Sequence, residues 1–262
     1  MNRKPLAAMV AKLAEEHGID VVILAECQVD PGEIVRALNR SVSPGFQHGH
    51  SECTRISLFA RFPKDLIGPA FENDWLSIRR VVLPKRSPVL LAAVHLVSKR
   101  NWSDDSQTAE CTNLAEYIIE EERKAGHCRT IIVGDFNMNP FEAGFASSAG
   151  LNAVMSRQIA ARETRKVLGR DYRFFYNPMW NHFGDARGPT AGSYFHDSAQ
   201  HINYYWHVFD QVLLRPSLAE RFDPSTVKIL TAVGSRPLVG DNGRPDRSVA
   251  SDHLPLIFEV EF

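Results

Sequence analysis

The stretch Ile131-Ile-Val-Gly-Asp-Phe-Asn-Met-Asn-Pro140 decides the fold. Its β-branched residues 131–133 predict a short buried strand, and Pro140 prevents the ladder from continuing. Asp135 and Asn137 stand at the end of that strand, and a spacing of two places both side chains on one side of an extended chain. A carboxylate and an amide therefore project together from the rim of a sheet, where open α/β sheets bind their ligands. A turn is the alternative interpretation, because Asp and Asn are common turn residues.

Length and composition predict one domain that spans residues 1–262. The 262 residues are 44% hydrophobic and contain no linker-like segment, so they can build one large core. A net charge of −1 excludes a global field that draws the chain to nucleic acid or to an anionic membrane, but it leaves room for a local basic groove. No run approaches the roughly 18 apolar residues of a membrane span. The four cysteines include no CxxC pair, which argues against zinc and favours reduced thiols and a cytoplasmic location.

Two further strands end close to a polar side chain. Residues 19–26 form a nearly continuous apolar strand that ends in Glu26, and residues 89–96 form another that contains His95. Such apolar strands are buried on both faces, so Glu26 is expected at a strand end like Asp135. A solvated rim residue is the alternative for Glu26, and a structural histidine satisfied by a neighbour is the alternative for His95.

The C-terminal part of the chain adds a buried carboxylate and an Asp-His pair. Asp210 interrupts the apolar strand predicted over residues 204–214, and it needs a partner because an unpaired buried charge is costly. Asp252 and His253 directly precede a segment in which residues 256, 258, 260 and 262 are apolar. This alternation predicts a last strand that is entered through the Asp-His pair.

Hydrophobic spacing predicts an amphipathic helix over residues 5–17 and a second helix over residues 151–168. The outer face of the second helix is basic, which fits a solvated surface or, as an alternative, contact with a phosphate backbone. Most aromatic residues in 172–183 are expected in the core, with some available to stack on bases. Further strands are predicted over residues 55–62, 75–83, 190–196 and 226–232, with a hairpin turn at 84–88.

These pieces stand in an order that resembles a known family. The strand ending in Glu26, then His95-Leu96, Gly134-Asp135-Phe136-Asn137 and Ser251-Asp252-His253, together with Asp210, are similar to the endonuclease/exonuclease/phosphatase superfamily, the deoxyribonuclease I-like and apurinic-endonuclease-like enzymes. The resemblance covers nearly the whole chain. It implies an α/β fold, a four-layer sandwich in which two mixed β-sheets pack face to face between helices. It also implies Mg²⁺-dependent cleavage of phosphoester bonds, with Mn²⁺ as a second suitable ion.

The resemblance also assigns roles to residues of this chain. It implies metal binding by Glu26 and Asp252, orientation or deprotonation of the attacking water by Asp135, phosphate binding by Asn137 and by His253 with its partner Asp210, and a place for His95 on the leaving-group side. These residue types suit the chemistry, because Mg²⁺ prefers hard oxygen ligands and a carboxylate near the water can act as a base. An imidazolium supported by a carboxylate supplies positive charge where the transition state needs it.

One feature departs from the family pattern. The family's first strand precedes the first helix and ends in an asparagine at the metal site, whereas here the helix begins almost at once and Asn2 is too close to it to replace a strand. We expect the strand of residues 19–26 to be central, so the missing strand would leave one hydrophobic edge open. Either residues upstream of Met1 belong to the natural product, which is the explanation we expect, or a neighbouring chain or segment covers the edge.

The predicted function is that of a Mg²⁺-dependent phosphodiesterase, a nuclease that hydrolyses DNA or RNA, with nucleic acid as its partner and no membrane association. Two alternatives remain open. One is a phosphatase that acts on a small phosphoester, such as an inositol phosphate or a phospholipid head group. The other is a non-catalytic nucleic-acid-binding domain, because the first strand is missing. The sequence makes no prediction about oligomeric state.

Overall fold

The computed structural model of the chain describes residues 6–40, 45–100 and 102–262, so Asn2 and Pro5 lie outside the described residues. The α-helices are α1 (Leu6–Glu16), α2 (Pro31–Leu38), α3 (Asp104–Ala125), α4 (Ala143–Ala146), α5 (Arg157–Ala160) and α6 (Pro216–Ala219). The strands are β1 (Val21–Ala25), β2 (Gln47–His48), β3 (Ile56–Ala60), β4 (Ile67–Glu72), β5 (Leu76–Val81), β6 (Val89–His95), β7 (Thr130–Asp135), β8 (Ala153–Val154), β9 (Thr164–Val167), β10 (Arg170–Arg173), β11 (Phe175–Tyr176), β12 (Tyr194–Phe195), β13 (Trp206–His207), β14 (Asp210–Leu214), β15 (Lys228–Ile229), β16 (Ala232–Val233), β17 (Arg236–Pro237) and β18 (Leu256–Ile257). No described helix is long and apolar enough to cross a membrane.

A seven-stranded mixed sheet carries the stretch that opened the sequence analysis. Its strand order is β4-β5-β6-β7-β14-β11-β8, which places β7 at the centre. β6 and β7 run parallel, and β7 and β14 run antiparallel. The burial of both faces explains why residues 131–133 and 89–94 are apolar without alternation.

Helices and a second set of strands cover the two faces of this sheet. On one face, Leu90 and Ile132 pack against Leu114 and Ile118 of α3. On the other face, the sheet packs against β3, whose opposite side is covered in turn by α1 and α2. This arrangement confirms the predicted α/β class, in which helices flank two packed layers of strands.

The second layer of strands is more divided than the sequence predicts. It consists of a three-stranded sheet, β1-β3-β2, and a separate pair, β15-β18. Among the described strands β1 pairs only with β3, so it lies at the end of its sheet and not at the centre, and its other edge is open, as expected when the family's first strand is missing. The predicted last strand is also shorter than expected, since β18 covers two residues and, within the described part of the chain, pairs only with β15.

The prediction of a helix over residues 151–168 is wrong. This segment contains β8, the single turn α5 and strand β9, and β9 forms a hairpin with β10. Glu163 and Leu168 both have positive φ angles, of 64° and 46°, which interrupt helical geometry. The basic residues Arg165, Lys166, Arg170 and Arg173 are exposed on this hairpin, and exposed basic residues are equally typical of a solvated helix face.

A groove separates β1 from the C-terminal segment. Consecutive residues 19–26 line one side and consecutive residues 254–262 line the other, so backbone edges border the groove on both sides. Val81, Leu91 and Val133 of the large sheet also line it, which gives it an apolar wall. The groove is continuous with the space around the predicted site residues, and together they have a volume of about 1960 Å³.

We predict that this groove accepts one extended apolar strand. A Val- and Ile-rich strand fused upstream of Met1 through a Gly/Ser linker should pair with β1, bury its side chains and raise the Tm by about 2 °C or more, because about 1 kcal/mol shifts the Tm by 2–4 °C at this size. Thermal unfolding and hydrogen exchange at the β1 amides measure the effect. The control carries Lys and Glu in place of the apolar residues. Equal Tm values and unchanged exchange for both fusions would contradict the prediction.

Candidate active site

Three of the predicted site residues form one row at the end of the large sheet. His95 of β6 lies opposite Asp135 of β7 in the parallel register, and Asp135 lies opposite Asp210 of β14 in the antiparallel register. The Nε2 atom of His95 is 3.7 Å from the Oδ2 atom of Asp135. The row therefore results from strand pairing alone and needs no loop to assemble it.

Gly134 makes this close row feasible. Its φ angle is 147°, and a Cβ atom at this position would lie 2.0 Å from the carbonyl oxygen of Val94 on the neighbouring strand. Only glycine tolerates both the conformation and the contact. The glycine that interrupts the apolar run thus brings β6 and β7 together immediately before Asp135.

The structure brings Asp135 and Asn137 together as predicted, but the backbone between them differs from the predicted extended chain. The chain does not stay extended, because Asn137 has a φ angle of 51°. Instead, the backbone N–H of Asn137 donates to Oδ1 of Asp135 at 2.8 Å, and its side-chain Nδ2 donates to Oδ2 of Asp135 at 3.2 Å and to the carbonyl of Leu96 at 2.9 Å. In this arrangement the amide of Asn137 uses both N–H groups to hold Asp135 and the end of β6.

Asp210 is half-buried, and it finds the partner that the sequence predicts for it. Its Oδ2 atom is 2.8 Å from Nδ1 of His253, which confirms the predicted contact. Burial disfavours the charged imidazole, but the charge of Asp210, its hydrogen bond and the charge of Asp135 raise the pKa of His253 to about 10. His253 is therefore an imidazolium at neutral pH, and its Nε2 atom is 4.0 Å from Oδ2 of Asp135.

The other two groups of the site have pKa values shifted by burial. Burial raises the pKa of Asp135 to about 7, with the nearby charge of His253 acting in the opposite direction. Burial lowers the pKa of His95 and outweighs the charge of Glu26, so His95 is neutral near pH 7. The site therefore combines a carboxyl group that exchanges its proton near neutral pH, a neutral imidazole and a fixed imidazolium.

Glu26 is the residue best suited to hold a cation. It lies at the end of β1 with a φ angle of 51°, its side chain is 70% exposed, and its Oε1 atom is 3.7 Å from Nε2 of His95. The ligand atoms of Asp135, Asp210 and His253 also lie within 4.8 Å of one another. We interpret this second group as a charge network, because an imidazolium has no free lone pair for a metal.

Asp252 borders the same cavity, but its carboxylate forms an ion pair with a residue outside the group of Asp135, Asp210 and His253. Its Oδ2 atom is 3.0 Å from Nη2 of Arg247, whose side chain is 70% exposed. The charge of Asp252 nevertheless raises the pKa of His253, so the two groups are near each other. The predicted metal role of Asp252 requires this exposed ion pair to open, which costs little at such a surface position.

The sequence did not point to Tyr194 and Ser193, which help to position the site. Tyr194 forms an isolated antiparallel bridge with His253, and their ring centres are 4.6 Å apart. The hydroxyl of Ser193 accepts a hydrogen bond from the backbone N–H of Asp210 at 3.2 Å. Both residues belong to an ordinary polar and aromatic segment, so no local pattern distinguishes them.

The chain belongs to the Endonuclease/Exonuclease/phosphatase family, whose sequence pattern matches residues 2–253. Its members are phosphoester hydrolases that generally use a divalent metal ion. No curated protein matches the chain.

Solved structures of this family share the fold at low identity. D. rerio TDP2 complexed with single strand DNA product is 19% identical, with a TM-score of 0.50, over 96% of this chain and 90% of that chain. A variant of the 3' phosphatase NExo from Neisseria, bound to a product DNA hairpin, is 14% identical, with a TM-score of 0.55, over 97% of this chain and 93% of that chain. ANGEL2, a 2',3'-cyclic phosphatase, is 14% identical, with a TM-score of 0.54, over 95% of this chain and 83% of that chain.

The variant Asp210→Asn should lower the pKa of His253. Loss of the opposite charge removes the main force that raises the pKa, so the imidazole should titrate about 1 to 3 pH units lower. Because the folded-state pKa is raised, the charged pair stabilises the fold below the unfolded pKa, and this contribution is lost as pH rises towards about 10. NMR titration of the His253 imidazole measures both proteins. Identical titration curves would refute the charge network.

Proposed function

We propose that this protein is a Mg²⁺-dependent phosphodiesterase that cleaves nucleic acid. The observation that carries the proposal is the imidazolium of His253, held by Asp210 at 2.8 Å and lying 4.0 Å from the carboxyl group of Asp135. A fixed positive charge beside a proton-accepting carboxylate is what the attack of water on a phosphodiester requires. The same cavity contains Glu26 and His95.

In this proposal Asp135 orients the attacking water and accepts its proton. A pKa of about 7 suits this role, because general bases work best when their pKa lies near the working pH. Asn137 fixes both oxygens of Asp135, so the carboxylate does not have to reorient during the reaction. Asn137 can also bind the phosphate, as predicted, if a substrate oxygen replaces one of its present acceptors.

His253 and His95 would act on the phosphate and the leaving group. The Nε2–H of His253 is free of Asp210, which binds the other ring nitrogen, so it can donate to a phosphate oxygen that gains charge in the transition state. His95 is neutral and lies between Glu26 and Asp135, with each carboxylate 3.7 Å from its Nε2 atom. This position supports the predicted contact of His95 with the leaving group.

Glu26 and Asp252 are the residues proposed to hold the metal. Both offer carboxylate oxygens, which suit Mg²⁺ and Mn²⁺ better than zinc. A bound Mg²⁺ supplies charge neutralisation at the phosphate oxygens and stabilisation of the leaving oxygen. Because the side chain of Glu26 is exposed, it can bind such an ion without breaking a buried contact.

Two observations support nucleic acid as the substrate. Arg55 and Arg100 border the cavity of the candidate site, where their side chains can contact a phosphate backbone. The similar structures of TDP2 and NExo carry DNA products. The phosphatase activities for which NExo and ANGEL2 are named favour the second candidate, a phosphatase acting on a smaller phosphoester.

All four cysteines are free, which supports the proposed cytoplasmic location.

Activity should depend on a divalent metal bound by Glu26. We expect hydrolysis to stop in excess chelator and to return with Mg²⁺ or Mn²⁺, and we expect Glu26→Gln to weaken metal binding by about 10-fold or more. The assay compares plasmid, single-stranded DNA, RNA and a panel of phosphomonoesters, and calorimetry measures the metal affinity. Full hydrolysis in chelator would refute the metal dependence, and activity on phosphomonoesters alone would favour the second candidate.

Asp210 and His253 should act as one catalytic unit. Asp210→Asn and His253→Ala should each lower kcat by about 10²- to 10³-fold, as the loss of one transition-state donor does. The double variant should be little worse than either single variant, because residues that act together are not additive. Steady-state kinetics measure the three variants, with Asp223→Asn as an exposed control carboxylate. Additive losses would show that the two residues act separately.

A further inference from the structure

A continuous line of aromatic rings leads away from the catalytic histidine. Each ring contacts the next, and the line ends at the residue that follows Pro140. The distances between ring centres are 4.6 Å for His253–Tyr194, 5.2 Å for Tyr194–Phe209, 4.6 Å for Phe209–His207, 6.1 Å for His207–Tyr204 and 5.4 Å for Tyr204–Phe141.

The middle of this line and its outer end differ in exposure. Phe209 and His207 are buried, with 5% and 9% of their surface exposed, and they form a structural base. Tyr204 is 57% exposed and Phe141 is 39% exposed, although both are large and aromatic. The outer pair therefore presents an aromatic surface to solvent while its inner neighbours hold it in place.

Phe141 is supported from behind as well. Its ring centre is 5.7 Å from Phe183 and 6.5 Å from Trp180. The next residue, Glu142, accepts hydrogen bonds from the backbone and side chain of Asn139 and forms an ion pair with Lys99. These contacts fix the backbone beside Phe141, so the ring is positioned before any ligand arrives.

Single exposed aromatic residues are ordinary, but this pair differs in two ways. The two rings contact each other at a 61° angle, and both line the cavity that contains Asp135 and His253. Tyr205, the neighbour of Tyr204, is also 50% exposed but does not line that cavity. Exposure alone therefore does not account for the place of the pair on the wall of that cavity.

We propose that Phe141 and Tyr204, together called the base shelf, stack an unpaired base of a single-stranded nucleic acid whose phosphate lies between Asp135 and His253. The proposal rests on the proposed function and specifies its substrate. Base stacking on aromatic rings tolerates any sequence, because every base has a flat π-face. Bases inside a duplex are already stacked on both faces, so the shelf selects unpaired ends or single strands. Arg100 borders the same cavity and complements the backbone charge.

Binding to short labelled oligonucleotides tests the shelf without relying on cleavage. The protein carries Asp135→Asn to prevent hydrolysis, and fluorescence anisotropy in Mg²⁺ gives the Kd for single-stranded DNA, single-stranded RNA, the same DNA with abasic sugars, and a blunt duplex. Tyr204→Ala and Phe141→Leu are compared with Tyr205→Ala as the matched exposed control. Thermal unfolding checks that each variant is folded. Tyr204→Ala should disturb the fold less than Phe141→Leu, because Tyr204 is the more exposed of the two residues.

We expect the two shelf variants to bind single-stranded DNA or RNA about 5- to 150-fold more weakly, the range that loss of one stacked base gives. Their affinity for the abasic strand and the duplex should change less than about twofold, and Tyr205→Ala should have no effect on any ligand. Equal losses on the base-containing and abasic strands, or no loss on either, would overturn the shelf. Cleavage by the unmodified protein is scored separately. Base-dependent binding without cleavage overturns the nuclease function alone, and cleavage without base-dependent binding overturns the shelf alone.

Discussion

The charge balance around Asp135 is the constraint on which the rest of the site depends. This carboxyl group is only 7% exposed and lies opposite a second carboxylate, Asp210, so both cannot remain charged without a cation. His253 supplies that cation from a segment more than 40 residues further along the chain. The bridge between Tyr194 and His253 holds the imidazolium at the rim of the sheet, where both carboxylates reach it.

The same balance connects the folding of this site to its proposed chemistry. Burial raises the pKa of Asp135 to about 7, which costs stability but suits its proposed role as a proton acceptor. Asp210 keeps His253 charged, which offsets part of that cost and suits the proposed role of His253 as a donor to a phosphate oxygen. His95 stays neutral because its burial outweighs the nearby charge of Glu26. Three neighbouring groups therefore differ in protonation at neutral pH: Asp135 exchanges its proton, His253 is charged and His95 is neutral.

The open groove beside β1 connects stability to the candidate metal residue. Glu26 follows directly after β1, and β1 is fixed by β3 on one side only among the described strands. Whatever pairs with the free edge also limits the motion of Glu26, because strand pairing restricts the backbone that carries it. The aromatic line makes a comparable connection on the other side of the site, where buried rings fix the position of exposed ones.

The sequence by itself determined the features that depend on local pattern: the apolar strands that became β6, β7 and β14, the polar residues at their ends, and the need of Asp210 for a partner. Only the tertiary structure decided that residues 151–168 form short strands and not a helix, that β1 lies at the end of its sheet, and that Tyr194 contacts His253. It also decided that the exposed aromatic pair is Phe141 and Tyr204, outside the aromatic-rich segment 172–183. The physical reason is that periodicity reports which faces are buried, whereas strand order, turns with positive φ angles and ring contacts arise from pairing between distant segments.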